Sequence, residues 1–298
     1  KYEAIRQSNG VLVICIDEFG KFLEYASKHN PEKEMYFIQQ LAEFVNDANR
    51  NIILITTVHQ AIDSYSLNLS ISQRNEWRKV KGRFNEITFN EPVEQLLLLA
   101  SKFLCKKYVS IEKNNVYLDS LISLNEKHYC FSLDKNYLKK IGNNLFPLDV
   151  FSAAILTKSL QKYGQNERSL FTFLQASDHL GLDNIKKNEL FDVAKVYDYL
   201  FVNMYANLVS KRNPDYSQWA LIRDAIERAE SISDSNQVMV LKIIKTVGLI
   251  NLFASKGASV NDDLLISYFS LEYNAKEVRK AIDFLDKFRI IRFNQFNK

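Results

Sequence analysis

Cysteine is scarce: Cys15, Cys105 and Cys130 are the only three in 298 residues. They lie far apart and are odd in number, which argues against a disulfide framework and fits a reducing, cytoplasmic compartment. His128 sits two residues from Cys130 with no second Cys/His pair nearby, so a metal site is not expected there. Glycine (8) and proline (4) are also few, which excludes collagen-like and low-complexity chains. No apolar run approaches the ~18 residues of a membrane helix, and no stretch reads as a signal peptide. Neither sign of charge dominates: 39 Lys and Arg against 35 Asp and Glu leave +4, too little for the whole chain to act as a polyanion binder. Gly-x-Ser-x-Gly and His-Glu-x-x-His are absent, so a hydrolase built on His59 with an acid has little support. Gly-x-x-x-x-Gly-Lys-[Ser/Thr] is absent too, so no phosphate-cradling glycine loop is present.

What is present is ample apolar content, 47%, and length for two or three domains of mostly helical structure. The most informative stretch is Gly10-Val11-Leu12-Val13-Ile14-Cys15-Ile16-Asp17-Glu18-Phe19-Gly20. Six apolar residues between turn signals read as a strand buried on both faces. Carboxylates at the carboxyl end of such a strand sit where ligands bind in open parallel α/β sheets. Asp17 there can hold Mg²⁺ through its water shell, and Glu18 can polarise a water for attack on a phosphate. The structural alternative is that Asp17 caps the next helix and Glu18 lies in its first turn.

Asn51-Ile-Ile-Leu-Ile-Thr-Thr-Val-His-Gln60 is a second strand of the same type, about 40 residues on, with helical spacing between, as in a βαβ crossover. Its polar end offers Thr56, Thr57, His59 and Gln60, although threonines are also good strand formers. A basic segment follows, with Arg74, Arg78, Lys79, Lys81 and Arg83, then an alternating Asn85–Phe89, and Glu91-Pro92 opening a helix over 93–107.

Asp-Glu after an apolar strand resembles the Walker B element of P-loop ATPases, especially the AAA+ class and its STAND relatives. The order strand-Asp-Glu, helix, strand-Thr-Thr, helix, Gly-Arg-Phe, strand, Glu-Pro, helix resembles the second half of such a core over residues 8–95. The resemblance implies ATP and Mg²⁺ as ligands, Asp17 as the metal-holding acid and Glu18 as the water activator. It implies a polar sensor among Thr56, Thr57, His59 and Gln60. It implies an arginine finger at Arg83, or at Arg78, acting between subunits of an oligomer. A solvated or nucleic-acid-touching basic cluster is the alternative for these arginines. Because the family's phosphate loop lies upstream of Walker B, the expectation is a fragment of a longer ATPase, inactive alone; a degenerate ATPase fold is the other explanation.

Residues 93–230 read as all-helical, with an insertion over about 106–143. Phe146-Pro147-Leu148-Asp149 opens a helix over 150–163, Gly164 stops it, and Gln165–Leu174 starts another. This pair resembles the AAA+ lid, where Arg168 would be a sensor 2 residue on the nucleotide phosphates. Its wording also resembles large bacterial ATPases of phage defence. Beyond the polar 231–237, three helices (238–254, 261–269, 274–288) and the alternating Arg289–Phe293 form a winged-helix pattern over 238–298. Lys276, Arg279 and Lys280 are its candidates for contacting DNA or a protein partner. The fold expected is α/β plus all-α: a partial P-loop parallel sheet (1–92), a helical lid (93–230) and a winged helix (238–298). The function expected is ATP-driven remodelling or signalling. The alternative is a non-catalytic DNA-binding or protein-interaction module.

Overall fold

The computed structural model describes residues 3, 7, 10–59, 62–66, 69–87, 92–108, 115–164, 166–175, 180–182, 185, 189–211, 213–232 and 237–291, with backbone alone for 63, 64 and 166–168. It is predominantly helical and divides into two compact units, Lys1–Phe89 and Asn90–Lys298.

The first unit holds β1 (Leu12–Ile16) and β2 (Ile52–Thr56), paired in parallel with Leu12 opposite Ile52 and Ile16 opposite Thr56. A parallel pair requires a crossover, which is made by α1 (Phe19–His29) and α2 (Pro31–Val45). Apolar residues at helical spacing give α1 its buried face, Phe19, Leu23 and Ala26. Asn30 ends it, caps α2 by accepting from Lys33 N, and Pro31 takes the first helical position. After β2 come α3 (Ile62–Tyr65) and α4 (Ile71–Lys81), the latter opened by a Ser70–Gln73 capping box. Trp77 and Val80 of α4 join Leu23, Met35 and Ile38 in the core of this unit.

The strands are not buried on both faces. Val11, Val13, Ile53 and Ile55 are about half exposed, and Cys15 is exposed. Among the described residues the sheet has two strands, and its helices pack on the face that carries the alternate residues. Residues 85–87, expected to begin a strand, form none; Thr88 and Phe89 lie outside the described residues.

The second unit runs through α5 (Val93–Lys107), α6 (Asn115–His128), α7 (Lys135–Ile141), α8 (Val150–Tyr163), α9 (Asn166–Gln175), α10 (Val193–Asn203), α11 (Tyr205–Leu208), α12 (Tyr216–Ile232), α13 (Gln237–Phe253), α14 (Asp262–Phe269) and α15 (Ala275–Lys287). Its centre is α8 and α13, which bury residues all round, as helices inside a core do. One core cluster runs from Leu96 to Leu285, and α12 and α13 pack together on either side of the polar segment 231–237. Residues 289–291 turn after α15 and form no strand. Arg289 takes a left-handed φ of 53°, and Ile290 N donates back to Leu285 O at 2.9 Å. Arg292 and Phe293 lie outside the described residues.

Two buried aspartates cap α8 and α10. Asp149 accepts from Ser152 N (2.6 Å) at the start of α8 and from the Tyr268 hydroxyl (2.6 Å) of α14. Asp192 accepts from Lys195 N at the start of α10 and pairs with Lys242 of α13 at 2.5 Å. Burial pushes the Asp149 carboxyl up to about 6, and the nearby Asp192 and Glu272 add to that. The folded protein therefore holds this proton more tightly than the unfolded chain, where the group titrates near 3.8. The Asp149 contribution to stability is expected to be full below about pH 3.8 and to be lost as pH rises through about 6, by roughly 3 kcal/mol. Asp149→Asn, which keeps a capping side chain, is expected to flatten that slope in urea unfolding measured from pH 4 to 7.5.

Candidate functional site at the strand ends

The parallel register that sets Ile16 opposite Thr56 brings Asp17 and Thr57 together just past the strand ends. Thr57 then bonds to four consecutive residues. Its N–H donates to Ile16 O (3.1 Å) and its carbonyl accepts from Phe19 N (2.9 Å). Its hydroxyl donates to Asp17 Oδ1 (2.5 Å) and accepts from Glu18 N (3.0 Å). Glu18 N also donates to Asp17 Oδ1 at 3.0 Å. Glu18 itself sits at φ 52°, ψ 35°, a left-handed conformation that costs a non-glycine residue about 1–2 kcal/mol.

Asp17 does not cap α1. Its Oδ1 is used by Thr57 and by Glu18 N, and Glu18 makes no side-chain cap bond either. Both carboxylates are exposed. The Thr57 hydroxyl, then the Glu18 N–H, holds the Asp17 carboxyl below the usual carboxylate range, with positive charge at His59 and Lys21 adding to the shift. Glu18 is ion-paired with Lys21 in the first turn of α1. Next to this turn Gly20 makes room for α3: a Cβ there would lie 2.2 Å from the Tyr65 hydroxyl.

The other candidates distribute unevenly. Thr56 alternates to the helix-covered side and is half-buried, apart from Thr57. His59 is exposed and close enough to Asp17 for its charge to act there. Gln60 lies outside the described residues, as does the side chain of Arg168, whose backbone is in α9. Arg83 is engaged within its own unit. Its guanidinium bonds Glu43 Oε1 through Nη2 (2.6 Å) and Nε (3.0 Å) and Lys79 O through Nη1 (2.7 Å), while its carbonyl accepts from Asn46. In the rest of the basic cluster Lys79 pairs with Glu76 and Lys81 with Glu86, while Arg74 donates to the Leu69 carbonyl. Arg78 is exposed on α4.

Lys276, Arg279 and Lys280 lie on the exposed side of α15, opposite the buried Val278, Ala281, Ile282 and Leu285. Exposed Glu277, Asp283 and Asp286 share the helix, so its charge is mixed.

Asp17 fits a metal that arrives with its own ligands. Among the described residues no three His, Cys, Asp or Glu side chains group to cage an ion. Asp17 Oδ2 has no hydrogen-bond partner among them, and the residue is exposed. Mg²⁺ is held in that way, by one or two carboxylates plus substrate phosphates and waters. Sequence reasoning missed Lys21 and Glu43. Lys21 was accessible through its three-residue spacing from Glu18, whereas Glu43 meets Arg83 from 40 residues away with no local signal.

Comparison with known protein families, curated proteins and solved structures found no match.

The Arg83–Glu43 pair is partly exposed, so its coupling is expected to be small and to weaken with salt. A double-mutant cycle of Arg83→Ala and Glu43→Ala in urea, at low and high ionic strength, measures it.

Proposed function

We propose that the chain carries the water-activating part of an ATP-hydrolysing switch of AAA+/STAND type, used for remodelling or signalling. The observation that supports this most is the Asp17–Glu18 turn at the carboxyl end of β1, laid against Thr57 with both carboxylates exposed. On this reading Asp17 holds Mg²⁺, which when bound neutralises phosphate charge. Glu18 takes a proton from water as the water oxygen bonds the γ-phosphorus. The bond from that phosphorus to the ADP oxygen breaks, and ADP leaves with the electron pair. Glu18 must first release Lys21, so the pair is a resting arrangement.

A groove of about 580 Å³ runs along β2, lined by Ala42, Val45 and Arg83–Asn85 among others. Leu12 N bonds Asn51 O and Thr57 N bonds Ile16 O, so by the parallel alternation Leu54 and Thr56 turn their N–H and C=O groups to the outer edge. The reading places a further extended segment there, carrying the phosphate-cradling loop that residues 1–298 lack. Arg168 as a nucleotide contact rests on the sequence resemblance alone. An arginine acting between subunits is Arg83 once its bonds to Glu43 open, or Arg78, already exposed. ATP, Mg²⁺ and a second copy are the partners implied. Bacterial defence rests on the sequence resemblance alone. No described helix is long and apolar enough to cross a membrane; a cytoplasmic location belongs to the proposal.

A non-catalytic DNA-binding or docking module is the second reading. The exposed Lys276, Arg279 and Lys280 favour it, and the interleaved acids of α15 dilute that charge.

The test is ATP turnover by the full natural polypeptide, wild type against Glu18→Gln. Wild type is expected to hydrolyse ATP with Mg²⁺, and Glu18→Gln to bind ATP with turnover reduced ~100-fold or more. Equal turnover, or no nucleotide binding by either, would overturn the reading.

A further inference from the structure

We propose that Thr57 is a positioning residue: its hydroxyl fixes the Asp17–Glu18 turn and does not contact the ligand. The inference rests on the reading of that turn as the reaction centre. A residue that senses a terminal phosphate through a hydroxyl must donate to it, because phosphate oxygens only accept. Thr57 has one hydroxyl proton, and that proton is committed to Asp17 Oδ1 at 2.5 Å. One of its lone pairs is occupied by Glu18 N–H at 3.0 Å. Nothing is left with which to donate to a nucleotide.

The same two bonds explain why Glu18 tolerates a left-handed backbone. With φ at 52°, its N–H points at the Thr57 hydroxyl and Asp17 Oδ1, and the next amide, Phe19 N, reaches the Thr57 carbonyl at 2.9 Å. The turn is over-determined from the neighbouring strand, the condition under which such conformations persist at functional sites. One consequence is that Asp17 presents Oδ2, and not Oδ1, outward. Another is that the Glu18 side chain leaves the turn in a direction set by β2. The backbone bonds of Thr57 to Ile16 and Phe19 do not need its side chain, so removing the hydroxyl isolates the positioning effect.

Two variants separate the possibilities. Thr57→Val keeps the β-branched shape at an exposed site and removes both hydroxyl bonds; Thr57→Ser keeps the hydroxyl. In the 298-residue chain, Thr57→Val is expected to lower the unfolding midpoint only slightly while the Glu18 amide exchanges with solvent about tenfold faster or more. Thr57→Ser is expected to stay close to wild type. Unchanged Glu18 exchange in Thr57→Val, or Thr57→Ser as fast as Thr57→Val, would overturn the positioning role. In the full natural polypeptide, Thr57→Val is expected to lower kcat for ATP about tenfold or more at constant KM, with Thr57→Ser restoring it. A raised KM with kcat intact would instead make Thr57 a ligand contact and overturn the proposal. Absence of ATP turnover in wild type would sink the ATPase reading, and the exchange comparison would still decide whether Thr57 sets the turn.

Discussion

The hydroxyl of Thr57, shared between the Asp17 carboxylate and the Glu18 amide, ties the ends of β1 and β2 into one structure. The parallel register delivers Thr57 to that place, and the crossover through α1 and α2 sets the register. Without such a partner, a glutamate in a left-handed turn would relax, and two adjacent carboxylates would be two solvated side chains. With it, one carboxylate is oriented by hydrogen bonds and the other leaves the backbone in a fixed direction. Electrostatics follow from the same geometry: the Thr57 hydroxyl is the main cause that holds the Asp17 carboxyl below the usual carboxylate range. On the proposed reading the strand ends would receive a metal and a water, on a scaffold whose core lies on the helix side of the sheet.

The helical unit follows a different logic. Its stability centres on two helices buried all round, α8 and α13, and its polar residues are spent on closing helix ends. Asp149 and Asp192 cap α8 and α10, and Tyr268 and Lys242 reach them from later helices. Burial alone would lower the Lys242 ammonium pKa, but the Asp192 carboxylate outweighs it and raises it. These bonds join Asp149 to Tyr268 across 119 residues and Asp192 to Lys242 across 50, within the one core cluster that runs from Leu96 to Leu285.

Much of the helical architecture was legible because helix ends are written in short-range chemistry. The helices at Val93–Lys107 and Val150–Tyr163 follow from a proline or aspartate at the start and, for the second, Gly164 at the end. Asn261 and Asn274 cap where asparagine is expected to. The acid turn and the polar strand end were legible as candidates for the same reason: both follow Val- and Ile-rich runs. Other features were not. Apolar residues on both faces of a strand look the same in sequence whether one face or two are covered, so the exposure of Val13 and Ile55 was invisible. The alternation at 289–291 mimics a strand, but Ile290 bonds back to Leu285 and closes α15. The choice among Thr56, Thr57 and His59 needed the register, since adjacent threonines point to opposite faces. Glu43 holds Arg83 through a tertiary contact that no local pattern announces.

The central claim is that the Asp17–Glu18 turn is a metal-facing site and not merely a surface turn. Paramagnetic line broadening by Mn²⁺ carried on ATP, titrated into the isotope-labelled full natural polypeptide, tests this most directly. The account predicts that the amides of Asp17, Glu18 and His59 broaden first, ahead of other exposed acidic stretches such as Glu32–Glu34 and Asp262–Asp263. Broadening that begins at those stretches and leaves the Asp17–Glu18 turn sharp would contradict it.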